Sequence, residues 1–298
     1  MITITALTKR YGQRTVVDDL TFDITPGRVT GFVGPNGAGK STTMRMMVGL
    51  TRPDHGSVRY HGVEYNRLKQ PTRVVGSVLD PRSMHPGRTA RDHLAAAAAL
   101  SGLSLARVDQ VLADVGLEGA ADRRSGTFSL GMRQRLALAG ALLGEPEMLL
   151  LDEPSNGLDP DGIRWLRTSL TDFAHAGGTV FVSSHLIAEL AMFADDLVVV
   201  GGGRLIAAEP VSTTLSRGES MVTVRTPNAP ELARLLDQDD ITVDISGDEL
   251  TVYGTTTDIV SRTAFDHRIQ VVEIAETSRS LEEILLDMTG ATAEFAAA

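Results

Sequence analysis

The 298-residue chain contains no cysteine. That excludes disulfides, iron–sulfur clusters and thiolate zinc sites, and it agrees with work in a reducing compartment. Long apolar runs are also missing: the longest unbroken one, Leu94 to Leu100, falls far short of the ~20 residues that a membrane-spanning helix needs. Met1 to Gly12 alternates isoleucine with threonine and carries Lys9 and Arg10. Without an apolar stretch there, no secretory leader is expected. Basic residues are outnumbered, 28 Lys and Arg against 38 Asp and Glu, for a net charge of −10. This argues against a protein that works by gripping nucleic-acid phosphates. Internal repeats and coiled-coil heptads are absent too. What remains is 42% hydrophobic and 22% charged, the balance of an ordinary globular protein. At roughly 100–200 residues per domain the length allows about two domains.

The pattern along the chain predicts an α/β protein in two parts. Ile2 to Thr5 and Leu20 to Ile24 alternate with period 2 before the Pro26-Gly27 turn, which reads as an antiparallel β opening. From Val29 onward short apolar strands alternate with helices: Val29 to Val33 before a helix from Ser41, Met148 to Leu151 before a helix after Pro160, and Thr179 to Val182 before a helix from Leu186. Alternation of this kind predicts a largely parallel sheet with helices on its faces. Residues 89–140 carry almost no strand signal and read as a helical insertion. Gly201-Gly202-Gly203 marks a hairpin that closes the first domain near residue 217. Residues 219–290 then read as β-α-β-β-α-β, the ferredoxin-like order of a small α+β domain, with a strand expected at Ile269 to Ile274 and a last helix from Ser280 to Met288. Residues 291–298 read as a tail.

The strongest chemical signal is Gly34-Pro35-Asn36-Gly37-Ala38-Gly39-Lys40-Ser41, a complete G-x-x-x-x-G-K-[ST] run between a strand and a helix. Glycines let backbone N–H groups curl around phosphate oxygens, and the helix aims its positive dipole end at the same place. Lys40 supplies a point charge and the Ser41 hydroxyl suits magnesium; Asn36, Gly37, Ala38, Gly39 and Thr42 complete the expected nucleotide cradle. Met148 to Leu151 ends in Asp152-Glu153. Beside a phosphate loop this pair divides the labour: Asp152 holds magnesium and Glu153 polarises the attacking water. His185, at the end of the Thr179 to Ser184 strand, is expected to bond the γ-phosphate and order that water. The other histidines show no metal-ligand spacing, so no metal beyond Mg2+ is argued, and Arg123-Arg124 reads as a solvated pair.

In their order these motifs resemble the ATP-binding subunits of ABC transporters, from about Ile2 to Glu209. Thr127 to Arg135 stands where that family has its Leu-Ser-Gly-Gly-Gln signature, and Asn156-Gly157-Leu158-Asp159 resembles its D-loop. The resemblance implies a P-loop NTPase cassette over residues 1–217 that hydrolyses MgATP. It further implies a head-to-tail dimer, here a homodimer, in which Ser129 and Gly131 of one copy close over the ATP of the other and Asp159 joins the shared site. Tyr11 lies where the family carries an aromatic that stacks on adenine. Two positions depart from the family pattern: Leu130 and Met132 replace a glycine and the glutamine of the signature, and Asp80 takes the place of the Q-loop glutamine. Asp80 reads either as a magnesium ligand or as a turn acid before Pro81. The cassette with a short β-rich C-terminal domain resembles exporter ATPases for drug-, peptide- or lipid-like substrates. These work at the cytoplasmic face of the membrane with a separate integral permease, and no nucleic-acid partner is expected. An importer ATPase with a ligand-sensing C-terminal domain is an alternative reading, as is a non-transport ABC ATPase.

Overall fold

A computed structural model describes residues 1–80, 84–184, 187–216, 220–237, 241–278 and 281–290. In chain order the elements are β1 (Ile2–Tyr11), β2 (Arg14–Ile24), β3 (Val29–Val33), α1 (Lys40–Met47), β4 (His55–Tyr60), β5 (Val63–Glu64), α2 (Pro71–Val74) and β6 (Val75–Val78). Three longer helices follow, α3 (Ala90–Leu100), α4 (Ala106–Asp114) and α5 (Leu130–Leu142). Then come β7 (Met148–Leu151), α6 (Pro160–His175), β8 (Thr179–Ser184), α7 (Ile187–Ala191), β9 (Asp196–Gly201), β10 (Arg204–Pro210) and α8 (Val211–Leu215). The last stretch holds β11 (Ser220–Arg225), α9 (Ala229–Leu236), β12 (Val243–Ser246), β13 (Glu249–Tyr253), α10 (Thr257–Asp266), β14 (Glu273–Ser278) and α11 (Leu281–Gly290).

Packing separates a compact unit built on Met1–Val211 from a second, Ser212–Asp287. The division falls earlier than the Arg217-Gly218 turn that the sequence suggests, and Arg217, Gly218 and residues 291–298 lie outside the described residues. The first unit holds an antiparallel sheet in the order β2-β1-β4-β5 and a six-stranded sheet in the order β10-β9-β3-β8-β7-β6. Every pair from β9 to β6 in the larger sheet is parallel, and only β10 runs antiparallel, against β9. Parallel strands covered on both faces need apolar residues at every position, and β7, Met-Leu-Leu-Leu, is buried throughout. Burying each such side chain contributes roughly 1.5–3 kcal/mol. In β2, by contrast, Leu20, Phe22 and Ile24 are buried in alternation with exposed neighbours, as a sheet with one covered face requires.

The two sheets share one core. Phe22 of β2, Phe32 of β3 and Phe181 of β8 form a triangle of rings with centroids 5.0 to 6.1 Å apart. The helices α3, α4 and α5 bury a separate cluster in which Ala90, Leu94 and Ala98 recur one turn apart and meet Val111, Leu112 and Leu136. In the second unit the order of elements is β-α-β-β-α-β, with an all-antiparallel sheet ordered β12-β13-β11-β14. Val222, Val224, Leu250 and Val252 cluster with Leu232 and Leu236 of α9 and Val260 of α10. Its last strand begins at Glu273, later than the apolar Ile269 to Ile274 run suggests. Ile269 is buried after α10 and joins the core there without being part of the sheet.

Candidate functional site

In the larger sheet β3 is flanked by β8 on one side and β9 on the other, and the carboxyl ends of β3, β8, β7 and β6 lie side by side. In an open α/β sheet this is the edge at which ligands bind. Gly34 to Gly39 follows β3. A Cβ at Gly34 would stand 2.2 Å from the Val200 carbonyl oxygen, so only glycine lets the loop leave the strand there. Gly39 has φ +97 and is the N-cap of α1, and a Cβ on it would lie 2.6 Å from the Val16 carbonyl oxygen. The loop is thus held close against the β1–β2 hairpin.

Lys40 is buried, and its Nζ donates to the carbonyl of Gly34 at 2.7 Å and to that of Pro35 at 3.4 Å. The same ammonium stands 3.7 Å from Glu153 Oε1. Burial pulls its pKa below the ordinary lysine value, and the Glu153 and Asp152 carboxylates work against that shift. A cleft of about 340 Å³ opens here, lined by the whole Asn36 to Thr42 run and by Glu153. Val16 and Asn156 line it as well. Neither is expected from the sequence to line the cleft: Val16 is one β-branched residue among many in a strand, and Asn156 reads only as the start of the D-loop-like segment Asn156 to Asp159.

Asp152 follows β7 and is buried, and its Oδ1 accepts a 2.7 Å bond from Ser183 Oγ on β8. Glu153 adopts φ +48. A residue with a side chain held in that left-handed region carries a strain of about 1–3 kcal/mol, offset only by the structure around it. Its N–H donates to Ser183 Oγ at 2.8 Å and its carbonyl accepts from Asn156 N–H at 3.2 Å. Ser183 went unnoticed in the sequence because a buried strand serine carries no motif.

The remaining described residues selected from the sequence are not part of this lining. Tyr11 is 53% exposed at the end of β1, with Lys9 Nζ 5.5 Å from its ring centre. Asp80 is exposed just beyond β6, and His185 lies outside the described residues. Ser129 is the N-cap of α5, its Oγ accepting from Met132 N–H at 3.2 Å, and Gly131 is half-buried in the first turn. Asp159 caps α6 through a 2.8 Å bond from Gly162 N–H. Leu130 packs against the D-loop so closely that a Cβ on Gly157 would lie 2.2 Å from it. Among the described residues no group of three or more His, Asp or Glu could hold a metal by itself, and no helix is long and apolar enough to cross a membrane.

Residues 17–156 match the ABC transporter family, and residues 220–282 match a family described only as a domain of unknown function. The chain is 36% identical to the bacitracin transport ATP-binding protein BcrA of Bacillus licheniformis, over 80% of this chain and 79% of that one. It is 31% identical to the Nod factor export ATP-binding protein I of Ralstonia nicotianae, over 97% of this chain and 94% of the relative. A solved ATP-binding subunit of an ABC transporter superposes with a TM-score of 0.66 at 27% identity, covering 73% of this chain and 92% of that structure. Likeness over nearly the full length, joined to a phosphate loop and a strand-end acid pair on one sheet edge, makes this chain a member of the ABC transporter ATP-binding family.

Proposed function

We propose that the chain hydrolyses MgATP in the Gly34–Thr42 cleft as one half of a homodimer and passes the resulting motion to a separate membrane permease. The substrate moved is drug-, peptide- or lipid-like and leaves the cell. The observation that carries this reading is the meeting of the Lys40 ammonium and the Glu153 carboxylate, 3.7 Å apart, at one cleft lined by the phosphate loop. A phosphate chain bound there competes with Glu153 for Lys40, which frees the carboxylate to take a proton from water. The Ser41 hydroxyl and the Asp152 carboxylate are hard oxygen donors of the kind Mg2+ prefers, with Asp80 a further candidate on the neighbouring strand end. Magnesium, when bound, neutralises charge on the phosphates.

In this reading Tyr11 stacks on adenine, His185 bonds the γ-phosphate, and the second copy supplies Ser129, Gly131 and Asp159. The hydrolysing dimer works at the cytoplasmic face of the membrane, held there by the permease. Export is supported by the likeness to a relative named for Nod factor export along nearly the whole chain.

The test is Glu153→Gln in the full chain. ATP binding is retained, hydrolysis falls at least ~100-fold, the range expected for losing a general base, and the protein elutes as an ATP-bound dimer on size-exclusion chromatography. Wild-type turnover in this variant moves the base to another residue.

A further inference from the structure

Ser183 is fully buried on β8, paired in register with Phe32 of β3. Its Oγ touches two consecutive residues of the neighbouring strand end: the Asp152 carboxylate at 2.7 Å and the Glu153 amide at 2.8 Å. The directions of these bonds are fixed by chemistry. An amide N–H can only donate, so the hydroxyl accepts from Glu153, and its single proton goes to Asp152 Oδ1. One oxygen atom therefore sets both the rotation of the Asp152 carboxylate and the backbone of Glu153, which stands at φ +48.

We infer that Ser183 is a positioning residue for ATP hydrolysis, aligning the metal-holding acid and the water-polarising acid with each other through a single hydroxyl. The inference rests on the roles given above to Asp152 and Glu153. It differs from a plain packing role in one respect. A buried strand serine that only filled space could be replaced by alanine without any effect at the neighbouring strand end. Here the replacement removes the partner shared by a buried carboxylate oxygen and a part-buried amide.

The experiment compares full-length wild type, Ser183→Ala and Glu153→Gln. Three quantities are read: hydrogen exchange at the Glu153 amide, ATPase kcat and KM, and the magnesium concentration giving half-maximal activity. Ser183→Ala is expected to exchange the Glu153 amide at least tenfold faster. Its kcat should fall about tenfold, the effect of one lost buried hydrogen bond, with KM for ATP within about twofold of wild type and the magnesium requirement raised. A folded Ser183→Ala protein with wild-type protection at Glu153 and wild-type kcat overturns the inference. So does a fall in kcat/KM carried by KM alone. Should Ser183→Ala lose its thermal unfolding transition, Ser183→Cys, close in volume with only a weak donor, carries the same comparison. Full turnover in Glu153→Gln removes the base assignment instead, and the exchange result still reports whether the hydroxyl holds the Glu153 backbone.

Discussion

Two helices of the first unit start in similar sequence surroundings, a glycine- and serine-bearing turn, yet present opposite chemistry. α5 arrives with its own acceptor, since Ser129 Oγ takes the Met132 N–H. α1 has none: its N-cap is Gly39, no side chain caps it, and its first turn contains no acid. The opening amides of any helix need acceptors from somewhere. α5 satisfies one of its own, whereas α1 leaves its amides to an anion. The proposed phosphate site is thus a helix start from which the usual cap has been taken away, and contact with Val16 keeps it so by barring any side chain at Gly39.

Substitutions can break this comparison at either helix. The largest effect is expected from Lys40→Ala, which removes the buried positive charge beside the uncapped start. Nucleotide affinity should fall about 10–100-fold, the loss of a charge-assisted bond, measured by fluorescence with an ATP analogue. A smaller effect is expected at the capped helix. Ser129→Ala should lower Tm by a few degrees, from loss of a cap contributing about 1 kcal/mol. ATP binding by the single chain should stay intact while ATPase activity drops. Mixing inactive Lys40→Ala with inactive Ser129→Arg should restore part of that activity, because one of the two mixed interfaces combines intact halves. Proven heterodimers without recovery would remove Ser129 from the shared site. The smallest effect belongs to Asp159→Asn at α6. Asparagine caps as well as aspartate, so Tm should hold, and a fall in turnover of about twofold or more at constant Tm would assign the carboxylate a part in the dimeric site beyond capping.

Much of the fold is readable from the chain because local and global signals agree. Met148 to Leu151 has no polar residue and pairs on both sides within the parallel part of the larger sheet. Agreement failed where burial came without strand pairing. Ile269 is apolar because it fills the core after α10, and the true edge strand, β14, carries Glu273 and Glu276 and little apolar character. Charged residues suit an edge, and Glu273 pairs with Arg225 at 2.7 Å. At the site, residue types identified the Asn36 to Thr42 cradle and Glu153, all of which line one cleft. The Ser183 bridge was invisible because it depends on the pairing of β7 with β8, which brings together residues 31 positions apart in the chain.

The triangle of Phe22, Phe32 and Phe181 has a mechanical consequence. Aromatic rings packed at 5.0 to 6.1 Å across two sheets make the junction stiff, because sliding one sheet over the other would open voids that close-packed interiors do not tolerate. The strand that leads into the phosphate loop and the strand that carries Ser183 are then ribs of one plate. Displacement generated by nucleotide turnover is therefore expected to move the plate as a whole, with the compliance in the loops and helices attached to it.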